Sequence, residues 1–323
     1  MRNVLKLSVF LALFLSGCVF ISLPGVKPLT EKTIGGEGKA KILLMDISGV
    51  ISEESGVNAL GVETERKLTE RVREELDMAA ADDSVKAVVL RINSPGGSVT
   101  TSDIISHELK KFKEKKKIPV VAELMDVAAS GGYYVAARAD EIIAHPTTVT
   151  GSIGVIAYNF DASGLMTKVG IVNETVRSGE KKDIGSPLRP MTEGERRILQ
   201  SVIDSMYERF LDVIMEGRAG RFTREDLKGL ADGRIFTAPQ ALKHKLIDSI
   251  GYLDDAVEAA KKRAGVEEAT IITYAPRSSY KSNIYSGLGL GGGTAPGQIN
   301  LINIDGRGLI PGPSVRFMYL WTP

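Results

Sequence analysis

The chain has a single cysteine, a single tryptophan and only three histidines in 323 residues, and its 41 Lys and Arg nearly cancel its 40 Asp and Glu. A lone thiol excludes an intrachain disulfide and a cysteine-based zinc site. A net charge of +1 excludes the single-sign field that nucleic-acid binding requires. The basic run KKFKEKKK, Lys110 to Lys117, therefore reads as the solvated end of a helix. GGEGK, the glycine-rich stretch before Ala40, lacks the spacing of a phosphate loop. No internal repeat is present, and neither a metal nor an organic cofactor is implied.

Long apolar runs are also scarce, and the main one opens the chain. Arg2 and Lys6 introduce an apolar stretch reaching Val26, the layout of a secretory signal or an N-terminal membrane anchor. Within it LSGC, Leu15 to Cys18, resembles a bacterial lipobox, which would make Cys18 the lipidated residue; a membrane-spanning helix is the alternative. In either case the remaining chain is expected outside the cytoplasm, tethered to a membrane. Residues 1–30 are thus assigned to this anchor, 31–40 to a linker, 41–274 to the catalytic domain and 275–323 to a flexible tail.

Between linker and tail, strand and helix alternate. KILLMDISGVI is a short apolar run that stops after a glycine and reads as a buried strand, and SVKAVVLRI, Ser84 to Ile92, reads as a second. The stretch from Val62 to Ala81 has the period of an amphipathic helix. Further on, TSDIISHELKKFKEK reads as helix, IPVVAELMD as strand, SGGYYVAARA as helix, DEIIAHP as strand, and VGIVNETVR, Val169 to Arg177, as another strand. A long helix follows from Met191 to Gly217, with Ile198, Val202, Met206, Phe210 and Val213 at helical spacing. Shorter helices cover Thr223–Asp232, Ala238–Leu246 and Leu253–Ala264. Such alternation implies an α/β domain, a mainly parallel sheet with outer helices and a ligand site at the strands' carboxyl ends.

The chemistry centres on DVAASGGYYVAARADE, Asp126 to Glu141. Ser130 follows a strand and opens a helix, so its hydroxyl projects from a strand-to-helix turn. The adjacent Gly131 and Gly132 let a substrate approach the backbone, and the free N–H groups of a helix start can stabilise an oxyanion. RINSPGGSVT repeats the design earlier, with Gly96 and Gly97 between strand and helix. A serine nucleophile needs a base. Of the histidines, His107 and His244 fall within helices, which leaves His145 at a strand end, with no evident carboxylate to orient it. Lysine is the other candidate, provided that burial favours its neutral form. Lys181 and Lys182 are adjacent in a Gly- and Pro-punctuated loop, and in an extended segment only one of them can face a site.

INSPGGSV, DVAASGGYYVAARADEI, TGSIGVI (Thr150 to Ile156), SGEKKDIGSP and DGRIFTAPQALKHKLIDSIG (Asp232 to Gly251), in this order, resemble the signal peptide peptidase A family. The resemblance spans about Lys41 to Ala264. It implies the fold of Clp protease and crotonase, with a C-terminal helical region and a homo-oligomeric ring in which neighbouring protomers complete the sites. By motif, the nucleophile falls on Ser130, the general-base lysine on Lys182, and the serine that holds the lysine amine on Ser152. The oxyanion hole falls on Gly96 and Gly97, with the N–H of Gly131 as a second donor. The implied activity is that of a membrane-tethered serine endopeptidase with a Ser-Lys dyad, acting on remnant signal peptides and other apolar peptides.

Rival readings are a crotonase-type thioester enzyme, a non-catalytic peptide-binding ring and a Ser-His peptidase using His145. Past Tyr274, the glycine-rich YSGLGLGGGTAPGQ cannot pack a core, yet the chain ends in the apolar VRFMYLWTP. That segment is expected either to enter a substrate groove, as self-inhibitor or self-substrate, or to add a strand or a subunit contact.

Overall fold

The computed structural model describes residues 27–53, 66–277, 279, 281–286 and 317–322. The apolar N-terminal run up to Val26, including Cys18, lies outside them. No helix among the described residues is long and apolar enough to cross a membrane.

In chain order the elements are β1 (Leu29–Gly35), β2 (Ala40–Ser48), α1 (Leu68–Ala81), β3 (Val85–Ser94), β4 (Gly96–Ser98), α2 (Val99–Lys116), β5 (Val120–Ala129) and α3 (Gly131–Ala136). There follow β6 (Glu141–Ala144), β7 (Val149–Gly151), β8 (Ile156–Ala157), α4 (Ser163–Lys168), α5 (Glu193–Gly217), α6 (Arg224–Leu230), β9 (Ile235–Thr237) and α7 (Ala238–Lys243). The last are β10 (Ser249–Ile250), α8 (Leu253–Ala264), β11 (Ala269–Pro276) and β12 (Phe317–Leu320). The main sheet runs β1-β11-β2-β3-β5-β6-β10, with β7 beside the end of β5 and β9 beside β7. The pairs from β11 through β10 are parallel; β1–β11 and β7–β9 are antiparallel.

The apolar runs are continuous because both faces of the sheet are covered. In β2, Leu43, Met45 and Ile47 point into the larger core, with Val72 and Leu76 of α1 and Ile105 and Leu109 of α2. The alternate residues Ile42 and Leu44 pack on the other face against Leu253, Ala256, Val257 and Ala260 of α8. The helix ends follow local chemistry. Ser98 accepts from the Thr101 amide at the start of α2, and Thr192 and Glu195 form a reciprocal capping box at the start of α5. The basic end of α2 is solvated and tied down: Lys113 donates to the Arg138 carbonyl and Lys116 to those of Ala80 and Asp82.

Three differences from the sequence reading have physical causes. Residues 29–35 within the presumed anchor and linker form an edge strand, because β11 presents an open edge that the reading missed. Val169–Arg177 is not a strand: it follows α4 as irregular chain, Val172 and Val176 are 77% and 97% exposed, and no strand among the described residues pairs with it. Past Tyr274 the chain is not all structureless, since β11 continues to Pro276 and β12 pairs antiparallel with both β4 and β8.

Candidate active site

Register places the two serines side by side. In the parallel pair β5–β7, Ala128 faces Thr150 and Ala129 faces Gly151, so the chain next delivers Ser130 from one strand and Ser152 just beyond the other. The Ser130 amide donates to the Gly151 carbonyl at 2.8 Å, and the Ser152 amide donates to the Arg234 carbonyl at 2.8 Å. Both residues adopt positive φ, 52° at Ser130 and 49° at Ser152, which non-glycine residues rarely do. Such a conformation costs about 1–3 kcal/mol and persists where the surroundings over-determine it. Ser130 is 1% exposed and Ser152 8% exposed, and both line one cavity of about 490 Å³.

The glycines are required by contact. Gly96 has φ +96°, and a Cβ there would lie 2.0 Å from the Tyr319 carbonyl oxygen and 2.6 Å from the Gly131 nitrogen. One on Gly97 would lie 2.0 Å from the Ile51 carbonyl oxygen, and one on Gly132 2.8 Å from that of Ser94. The β4 turn and the start of α3 thus press together beside Ser130, as adjacent donors to an oxyanion must. Ser94 Oγ accepts from the Gly96 amide at 3.1 Å and steadies the turn.

β12 enters this site. It lies between β4 and β8, with Tyr319 opposite Gly97 and Met318 opposite both Ser98 and Ile156. The Trp321 amide donates to the Pro95 carbonyl at 2.8 Å, and Leu320, Trp321 and Thr322 line the cavity with Ser130. The apolar end therefore adds a strand and fills the groove at once, two outcomes that the sequence reading held apart.

Among the described residues, neither a lysine nor a histidine lines the cavity. Of its two carboxylates, Asp232 is engaged by Arg234, which holds it down to about 2, too low to take a proton from a serine. Lys182 and Lys181 are exposed on the segment that follows α4, and neither reaches the cavity. That segment is anchored by Arg189, which bridges Asp183 and Glu195 at the start of α5. The same guanidinium, with the Thr192 amide, lowers the Glu195 carboxyl to about 2. His145 is remote from Ser130: its Nδ1 contacts Thr147 and its ring meets Tyr252 edge-on at 5.0 Å. The Ser-His alternative has no geometry in this chain.

Sequence reasoning missed two features. Tyr134 and Phe210, read only as residues of helices, pack against Tyr319 of β12 with ring centroids 5.0 and 4.6 Å away. Glu123, mid-strand in β5, is fully buried without a hydrogen-bond partner among the described residues; burial, with Asp255 nearby, pushes its carboxyl up to about 9. It faces α8, away from the serines.

Comparison with known proteins adds to the geometry. The model of Peptidase family S49 matches residues 112–267, and that of Clp protease matches residues 39–149. The chain is 38% identical over 251 residues to "Putative signal peptide peptidase SppA" of Enterococcus faecium, covering 77% of this chain and 72% of that protein. It is 36% identical over 235 residues to a "Putative protease" of Methanocaldococcus jannaschii, covering 72% of this chain and 74% of the other. With "Protease 4" of Haemophilus influenzae the identity is 31% over 233 residues, 72% of this chain and 36% of that longer protein. Among solved structures, a ClpP1 variant from Listeria monocytogenes aligns with TM-score 0.42 at 19% identity, over 66% of this chain and 94% of that one.

Proposed function

The chain belongs to the signal peptide peptidase A family, peptidase family S49, and is a serine peptidase of Clp protease/crotonase-like fold; from that premise we propose a Ser-Lys dyad in which Ser130 of one protomer is served by Lys182 of its neighbour. The observation that carries this reading is a buried, strained serine in a cavity whose lining offers no basic side chain, while the family's lysine stands exposed outside it. A ring of protomers supplies the missing amine.

In this mechanism the neutral Lys182 amine takes the proton from Ser130 Oγ as Oγ bonds to the scissile carbonyl carbon. The carbonyl π pair moves onto oxygen and is stabilised by the N–H of Gly131 and the Gly96–Gly97 turn, a contribution of about 3 kcal/mol per donor in other serine hydrolases. The C–N bond then breaks, the lysine ammonium returns its proton to the leaving amine, and water releases the acyl group by the same path. Ser152, set beside Ser130 by the β5–β7 register, holds the amine.

Substrates enter as extended strands between β4 and β8, the place that β12 occupies, because edge hydrogen bonds accept any sequence and pockets for alternate side chains select. The N-terminal run with Cys18 tethers this site to the outer face of a membrane, where apolar remnant signal peptides are at hand. The test is turnover of a fluorogenic apolar peptide by full-length protein in detergent, since truncation past Leu29 would remove β1. Wild type turns the peptide over, and Ser130→Ala and Lys182→Ala each abolish turnover. A wild type without turnover and without labelling by a serine-reactive probe would overturn the reading.

A further inference from the structure

On the α8 face of the sheet, charged side chains stand at equivalent positions of three neighbouring strands. Asp46 of β2 pairs in register with Arg91 of β3, and Arg91 with Glu123 of β5. Residues paired in register turn to the same face, so Arg91 lies between two carboxylates. Arg91 is 1% exposed, and its Nε donates to Asp46 Oδ1 at 2.6 Å. Glu123, on its other side, is 0% exposed and neither of its oxygens has a hydrogen-bond partner among the described residues. The next strand, β6, sets only the apolar Ile143 beside it.

The remaining nitrogens of Arg91 hold the chain that follows β11. Nη1 donates to the Ile284 carbonyl, and Nη2 to the Ser286 carbonyl at 3.0 Å. Lys281 donates to the same Ser286 carbonyl at 3.0 Å and lies 3.7 Å from Asp46. The segment is folded on itself: the Ser282 and Asn283 amides donate to Ser286 Oγ at 2.9 and 3.1 Å, and the Tyr285 amide to Asn283 Oδ1 at 2.9 Å. Burial, and then the nearby charges of Asp254 and Glu123, push the Tyr285 phenol up, which places that residue over Glu123. The other charges around the row are Asp255 of α8, near Glu123, and Arg71 of α1, which donates to the Asp46 carbonyl at 2.7 Å and to Glu75 at 2.8 Å.

We propose that Arg91 is a two-position latch: bonded to the carbonyls of Ile284 and Ser286 it straps residues 281–286 onto the sheet, and when that segment lifts it turns to Glu123. Lifting the segment takes two acceptors from a buried guanidinium, a loss that is severe when nothing replaces them. Glu123 replaces both. Directly paired cross-strand residues are within side-chain reach, and two carboxylate oxygens match the guanidinium fork. In the strapped form burial, with Asp255 nearby, raises the Glu123 carboxyl to about 9, so it carries a proton at neutral pH. Paired with Arg91 it is ionised. Strapping therefore takes up one proton, is favoured at low pH, and weakens by up to about tenfold per pH unit as pH rises toward 9. The chemistry at Ser130 plays no part in it.

The experiment is hydrogen exchange on full-length protein in detergent, read by mass spectrometry at the amides of Ser282, Asn283 and Tyr285 and corrected for the intrinsic pH dependence of exchange. Amides of Ala256 to Ala260 in α8 serve as the control for global opening. Wild-type protection of the segment should fall roughly tenfold per unit between pH 6 and pH 8 while the α8 amides stay protected. Glu123→Gln, which cannot ionise, should hold its protection constant over that range. Arg91→Lys, which keeps the charge but cannot hold both carbonyls, should lower protection severalfold at pH 6. Wild-type protection independent of pH overturns the latch, as does a Glu123→Gln slope equal to that of wild type or an Arg91→Lys segment as protected as before. Should either variant not fold, the wild-type slope decides.

Discussion

Ser130 and Lys182 stand in regions built on opposite principles. Around Ser130 everything is fixed: a register between two strands, two serines at positive φ, and glycines whose missing side chains are replaced by neighbouring backbone. Around Lys182 the chain is irregular, and Phe160, Leu165, Val169 and Val172 are 60 to 77% exposed. Under the proposed dyad, a single protomer builds the Ser130 turn completely and displays the Lys182 segment outward. Apolar residues turned to water beside Lys182 are what the proposed sharing of the site between protomers requires.

The sharpest way to break this contrast is to remove one group from each region. Ser130→Ala and Lys182→Ala should each lower kcat/KM on an apolar fluorogenic peptide by roughly 10⁴-fold or more, with Lys181→Ala close to wild type. Equal loss from both lysines would deny Lys182 its role. On the rigid side, Gly96→Ala sets a methyl against the Tyr319 carbonyl and Gly131, and kcat should fall roughly 10²- to 10³-fold. A protein that keeps its Tm and its full rate would show that the turn is not the oxyanion donor. Ser152→Ala, which in the proposed dyad removes one hydrogen bond to the amine, should lower kcat roughly 10- to 100-fold.

A smaller effect probes the rigidity itself. The Glu123 carboxyl is raised from its ordinary 4.5 to about 9. Between those values the folded protein holds a proton that the unfolded chain has lost, so stability falls as pH rises through that window. Glu123→Gln removes the proton difference, and its Tm should exceed that of wild type near pH 8 while matching it near pH 4. An equal Tm difference at both pH values would mean that the carboxyl is already charged in the fold. Least of all, His145→Ala should leave turnover unchanged.

The sequence displayed the rigid region far better than the displayed one. Continuous apolar strands, helix periods and glycine-punctuated turns are local signals, and they located the β2–β3–β5–β6 sheet, its covering helices and the turns at Gly96 and Ser130. Val169–Arg177 looked like a strand because its apolar residues imitate burial, but they stand exposed after α4 instead of packing on the sheet. The edge strand β1 pairs with β11, and β12 with β4, each more than two hundred residues away in sequence, which no local pattern encodes. Tyr319 was visible only as part of the apolar end VRFMYLWTP, and its packing on Tyr134 and Phe210 brings α3, α5 and β12 together.

The most direct test of a shared site mixes the two dead proteins. Ser130→Ala and Lys182→Ala, bearing different tags, are co-assembled and complexes that carry both tags are isolated. If each site draws its serine and lysine from different protomers, random mixing makes about one site in four intact, and activity returns to about a quarter of wild type. If doubly tagged complexes remain as inactive as their parents, Ser130 and its base belong to one chain and the account is wrong.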